Sequence, residues 1–76
     1  MQDPRDWFKA LLVDDRAATL AMLESAPGLQ DQLQSQFFDL DYVFEEAEDA
    51  MTWINGKTDS DIAAAKTAIE GMIAAL

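Results

Sequence analysis

Carboxylates are the commonest side chains in this chain that could do chemistry, 15 in all. Asp39, Asp41, Glu45, Glu46, Glu48 and Asp49 crowd into one short stretch, and Asp59 and Asp61 repeat the Asp-x-Asp spacing of Asp39 and Asp41. Paired carboxylates can hold a divalent cation or divide acid and base roles in hydrolysis. A calcium loop of the EF-hand type needs a central glycine and a closing glutamate, and neither Asp-x-Asp pair has that setting. Metal centres inside helical bundles normally use Glu-x-x-His, and the chain has no histidine. It has no cysteine either, so thiolate ligands, disulfides and a thiol nucleophile are excluded. The missing histidine also removes the commonest general base. No glycine-rich phosphate loop is present, and 76 residues leave little room for a hydrolytic cleft. The expectation is a protein that is not an enzyme and that carries no cofactor or metal.

The charge balance points elsewhere. There are 15 acidic residues against 5 basic ones, a formal net charge of −10, and no basic residue lies between Arg16 and Lys57. Nucleic acid and anionic membrane carry the same sign and are repelled. The expected partner is a basic protein surface. On a continuous helix Asp41, Glu45, Glu48 and Asp49 form one flank, with Asp39 and Glu46 further round the back. Acids four residues apart repel by a few tenths of a kcal/mol per pair, a cost that interspersed lysines would relieve. Carboxylates one turn apart rise about 6 Å along a helix, loosely comparable to phosphates along a strand. That is the physical basis on which acidic proteins imitate DNA. The competing reading is a solvated face that only keeps a small, apolar-rich protein dissolved.

Phe38, Tyr42 and Trp53 sit among these acids. Either they are exposed anchors of an interface, where such aromatics are enriched, or they bury against Trp7, Phe8 and Leu11. The expected partner-binding set is therefore the six acids together with these three aromatics.

Half the residues are apolar, enough for a core and too many for a disordered chain. Their spacing is helical throughout. Asp3 caps a first helix with Pro4 at its first position, and Trp7, Phe8, Leu11 and Leu12 follow at helical intervals. Asp14 or Asp15 opens a second helix with Ala17, Leu20, Ala21 and either Leu23 or Met22 facing inward, and Pro27-Gly28 ends it. From Leu29 to about Ile54 there is no Pro or Gly, and Leu33, Phe37, Leu40, Phe44, Ala47, Met51 and Ile54 form a heptad seam. Unbroken, this helix would span roughly 38 Å; a bend near Ser35-Gln36 is the alternative. Asn55-Gly56-Lys57 makes a turn, and Thr58 with Asp61 caps a last helix in which Ile62, Ala65, Ile69, Met72 or Ile73, and Leu76 repeat. The expected architecture is all-α: a small four-helix domain, helices about 4–13, 15–25, 29–55 and 59–75, with two short helices followed by a long antiparallel hairpin. The seams also allow a homodimer or larger homo-oligomer acting as a structural or assembly protein.

Residues 7–29, Trp-Phe-Lys-Ala-Leu-Leu-Val-Asp-Asp-Arg-Ala-Ala-Thr-Leu-Ala-Met-Leu-Glu-Ser-Ala-Pro-Gly-Leu, resemble the helix pair of an ankyrin repeat. The Thr-Pro-Leu-His opening is missing and nothing after residue 29 repeats the pattern, so no ankyrin protein is inferred. In size, charge and helicity the chain resembles the small acidic helical proteins with which phages block host machinery, anti-CRISPR proteins and DNA mimics among them. That resemblance implies a protein-binding inhibitor or regulator and carries no site residues. The acidic opening and the lack of a long apolar run predict an intracellular location, the cytoplasm of a bacterium or an infected host cell.

Overall fold

The computed structural model describes residues 3–76. These residues form α1 (Pro4–Lys9), which runs directly into a π-helical turn (Ala10–Asp14), then α2 (Arg16–Glu24), α3 (Pro27–Gln36), α4 (Leu40–Glu45), α5 (Ala47–Asn55) and α6 (Asp59–Ala74). The all-α class is as expected, and no strand occurs among the described residues. Among the described residues no helix is long and apolar enough to cross a membrane.

The four-helix arrangement with its long hairpin is not what forms. The stretch expected as one helix over 29–55 is three helices. It starts two residues early because Pro27, with its fixed φ and missing N–H, takes the first helical position of α3. The first break lies just beyond Ser35-Gln36. Phe37 leaves helical geometry, and Asp39 takes extended backbone and caps α4, its carboxylate accepting from the amides of Asp41 (2.9 Å) and Tyr42 (3.4 Å). The second break is Glu46, fully extended at φ −138°, ψ 148°. A straight helix of roughly 38 Å would overrun a molecule whose longest dimension is 29 Å. Folding it back gives up some backbone hydrogen bonds and turns Phe38, Val43 and Ala50 into the core beside Leu33 and Ile54. Each large apolar side chain so buried is worth about 1.5–3 kcal/mol, which outweighs two broken helical turns.

The core is a single cluster in which Phe8, Leu12, Val43, Ile54, Ile62 and Ile69 are essentially inaccessible. Phe8 sits at its aromatic centre: its ring meets Trp7 edge-on at 4.9 Å and Trp53 at 5.1 Å, and Trp53 meets Phe38 at 4.8 Å. Edge-to-face pairs add about 0.5–1.5 kcal/mol beyond area burial.

The helix ends bear out several local expectations. The Asp3 carboxylate accepts from the Arg5 amide at 2.8 Å, and the Thr58 hydroxyl accepts from the Asp61 amide at 3.1 Å. The inward face of α2 is different from the one expected. Thr19 and Leu23 are buried and Met22 partly so, whereas Ala17, Leu20 and Ala21 are exposed. Asp15 stands at the start of α2 but makes no side-chain cap. The π-helical turn closes with the Asp15 amide donating to the Ala10 carbonyl at 2.8 Å. Beside it the Leu11 carbonyl accepts from the Thr19 hydroxyl at 2.7 Å, so a hydroxyl rather than an alanine faces inward. Thr19→Val keeps the shape and leaves that carbonyl without its partner. Its unfolding free energy in urea is expected to fall by about 1–3 kcal/mol, with Thr19→Ser close to wild type; an unchanged valine variant would show the bond to be idle.

Candidate interaction site

Four of the five cations of this protein are held in contacts within its own fold. The Arg5 guanidinium donates to the Asp59 carboxylate and to the Lys57 carbonyl, both at 2.6 Å, tying α1 to the start of α6. Arg16 donates to the Phe44 carbonyl at the end of α4. Lys57 lies over the Trp53 ring, and Lys66 over the Trp7 ring while pairing with Glu70. Lys9 alone is exposed with no such contact among the described residues. Among those residues only Asp59 and Glu70 meet a cation, so thirteen of the 15 side-chain carboxylates have none. Every acid is exposed except Asp49, which is half-buried. The net charge is therefore displayed almost uncompensated.

The six acids singled out above do not form one helical flank, because the helix that would align them is broken at Glu46. Asp39 is a cap; Asp41 lies in the first turn of α4, and Glu48 and Asp49 in that of α5. Anions near a helix N-terminus each gain about 0.3–1 kcal/mol from unpaired amides, so fold stability accounts for those four. Glu46, at the N-cap position of α5, meets the same dipole but makes no side-chain cap hydrogen bond, and Glu45 ends α4, where the dipole disfavours an anion.

Tertiary structure ties a second acidic segment to the α4–α5 joint. Arg16 donates to the Phe44 carbonyl at the end of α4, and the π-helical turn packs on α5. Arg16 thus links the segment that carries Asp14 and Asp15 to the one that carries Glu45 and Glu46, although some thirty residues separate them in the chain. Sequence spacing carried no signal of this. No group of three or more acids among the described residues is arranged to hold a metal ion.

The three aromatics separate. Phe38 is 6% exposed and wedged against Trp53, so it is a core residue and not an anchor, because the break at Asp39 turns it inward. Trp53 is half-buried, with one face in the core. Tyr42 is 43% exposed. The heptad seam is likewise divided over three helices and packed on the protein's own core, so no straight coiled-coil surface remains.

An open cleft of about 360 Å³ lies between the end of α3, the end of α5 and α6. Phe37, Trp53, Ala64, Ala65 and Ala68 supply its apolar lining, and Gln36, Lys57 and Asp61 its polar groups.

The chain matches no known protein family, no curated protein and no solved structure.

Proposed function

We infer that this is a small acidic protein-binding inhibitor or regulator. It presents the carboxylates around the α4–α5 joint, with Tyr42 as an exposed aromatic, to a basic surface of a partner protein. The class of such a partner is a protein that handles nucleic acid, since a surface built to hold phosphates also accepts clustered carboxylates. The reading is supported chiefly by the uncompensated charge: among the described residues thirteen carboxylates meet no cation, while four of the five cations are held in internal contacts. Glu45 supplies the residue-level support, for it stands in the last turn of α4, where the helix dipole disfavours an anion.

Association driven in this way weakens as salt rises, because the Debye length falls from about 10 Å at 0.1 M to 3 Å at 1 M. Capture from nuclease-treated extracts of the source or host cell, at low and high salt, with mass spectrometry of the bound proteins, tests it. The expected result is one basic, nucleic-acid-handling protein that is lost at high salt. Recovery of only the protein itself, or of salt-resistant partners, would replace this reading with that of a homo-oligomeric or assembly protein.

A further inference from the structure

We propose that the cleft between α3, α5 and α6 is the anchor pocket for a basic amphipathic helix of the partner, which inserts one bulky apolar side chain there. This rests on the reading of the protein as an acidic partner-binding module. The cleft volume, about 360 Å³, lies at the low end of the roughly 300–1,000 Å³ of ligand pockets, room for a side chain rather than a large cofactor. Its lining offers Phe37, the half-buried Trp53 and an alanine wall.

Beside the cleft, α6 shows an exposed face with no charge. Ala64, Ala68, Gly71 and Ala75 recur at steps of four, three and four, all exposed, and nothing lies within 4 Å of where a Gly71 side chain would begin. A solvent-facing helix surface ordinarily carries charged residues. Small residues instead let a second helix approach closely, since interaxial distance is set by the side chains at the contact.

Charge selects the occupant. Asp61 stands on the rim, and Asp49 lies one turn before Trp53 on α5; neither has a cation within salt-bridge distance among the described residues. The rim's cation, Lys57, is drawn over the Trp53 ring. The chain carries a net charge of −10, so a helix with an apolar ridge flanked by lysine or arginine is drawn to it and meets the Asp61 carboxylate at the rim, the helix-in-groove mode of recognition. A second copy of this chain would bring ten more negative charges to the same place.

The probe is a synthetic amphipathic helix of leucine and lysine, compared with its leucine–glutamate counterpart and with a scrambled leucine–lysine peptide. Amide and indole NMR shifts locate binding, and calorimetry measures it. The leucine–lysine helix should shift Gln36, Ala64, Ala68, Gly71 and the Trp53 indole. Ala68→Trp, which fills the cleft, should weaken binding about tenfold or more while leaving the thermal midpoint in place, and Ala64→Trp should do the same. Shifts confined to residues 14–16 and 44–49, with Ala68→Trp neutral, would overturn the anchor pocket and leave the electrostatic reading standing. Binding that survives Glu45→Lys/Glu46→Lys but not Ala68→Trp would keep the pocket and remove the acidic joint. A concentration-dependent dimer abolished by Ala68→Trp, or no preference for the amphipathic peptide over the scrambled one, would overturn the proposal.

Discussion

Phe8→Ala is expected to leave the protein largely unfolded at room temperature. Phe8 is wholly buried, its ring set between Trp7 and Trp53, and α1 packs on both α5 and α6. Removing a buried phenylalanine side chain costs about 3–5 kcal/mol through lost transfer energy and the cavity left behind. A domain of this length has roughly 4–11 kcal/mol in total, at about 0.05–0.15 kcal/mol per residue, and small domains fall toward the lower figure. No disulfide is present to limit the loss. Phe8→Leu, closer in volume, should cost far less and stay folded. Near-ultraviolet circular dichroism and urea titration provide the check. An alanine variant that unfolds cooperatively within about 1 kcal/mol of wild type would show that the aromatic centre does not hold α1 in place.

The second large effect concerns recognition. Reversing Glu45, Glu46, Glu48 and Asp49 to lysine adds two charges at each position and moves the net charge from −10 to −2. Electrostatic steering raises association rates by about 10–10³-fold, so the association rate with the captured partner should fall by that order, and equilibrium binding should disappear at low salt. Lysines at Glu48 and Asp49 also face the amides of the first turn of α5 and cost about 0.3–1 kcal/mol each in stability. Glu45→Lys avoids that penalty, since Glu45 stands in the last turn of α4, whereas Glu46 is the N-cap position of α5 and its reversal carries a similar cost. Glu45→Lys alone should therefore slow association with its thermal midpoint unchanged, and Glu45→Lys/Glu46→Lys should slow it further at a small cost in stability. Stopped-flow association across a salt series decides the matter: a rate that ignores both the reversal and the salt would remove the acidic surface from the function.

Much of the local structure was legible because its causes lie within one helical turn. Asp3 with Pro4, and Thr58 with Asp61, announce helix starts through atoms a few residues apart, and the structure has both bonds. The interior of the long central segment misled for the same reason. Leu33, Phe37, Leu40, Phe44, Ala47, Met51 and Ile54 satisfy a heptad, and an aspartate within such a run signals equally a solvated helical position and a cap. Asp39 is the cap. Which of the two it becomes depends on whether Phe38 gains more inside the core than on a helix surface, and that depends on Trp53 and Phe8, far off in the chain.

The acidic surface divides along the same line. Sequence by itself determined the helical class, the sign and size of the charge, and the absence of thiol and imidazole chemistry, because these are properties of residue types and short-range spacing. Tertiary structure decided where the central segment breaks, that Phe38 is core while Tyr42 is exposed, that four of the five cations are held in internal contacts, and that Arg16 ties the segment of Asp14 and Asp15 to the end of α4. Each of those outcomes is a competition between burial and hydrogen bonding among segments distant in the chain. Its result exists only once all of them are packed together.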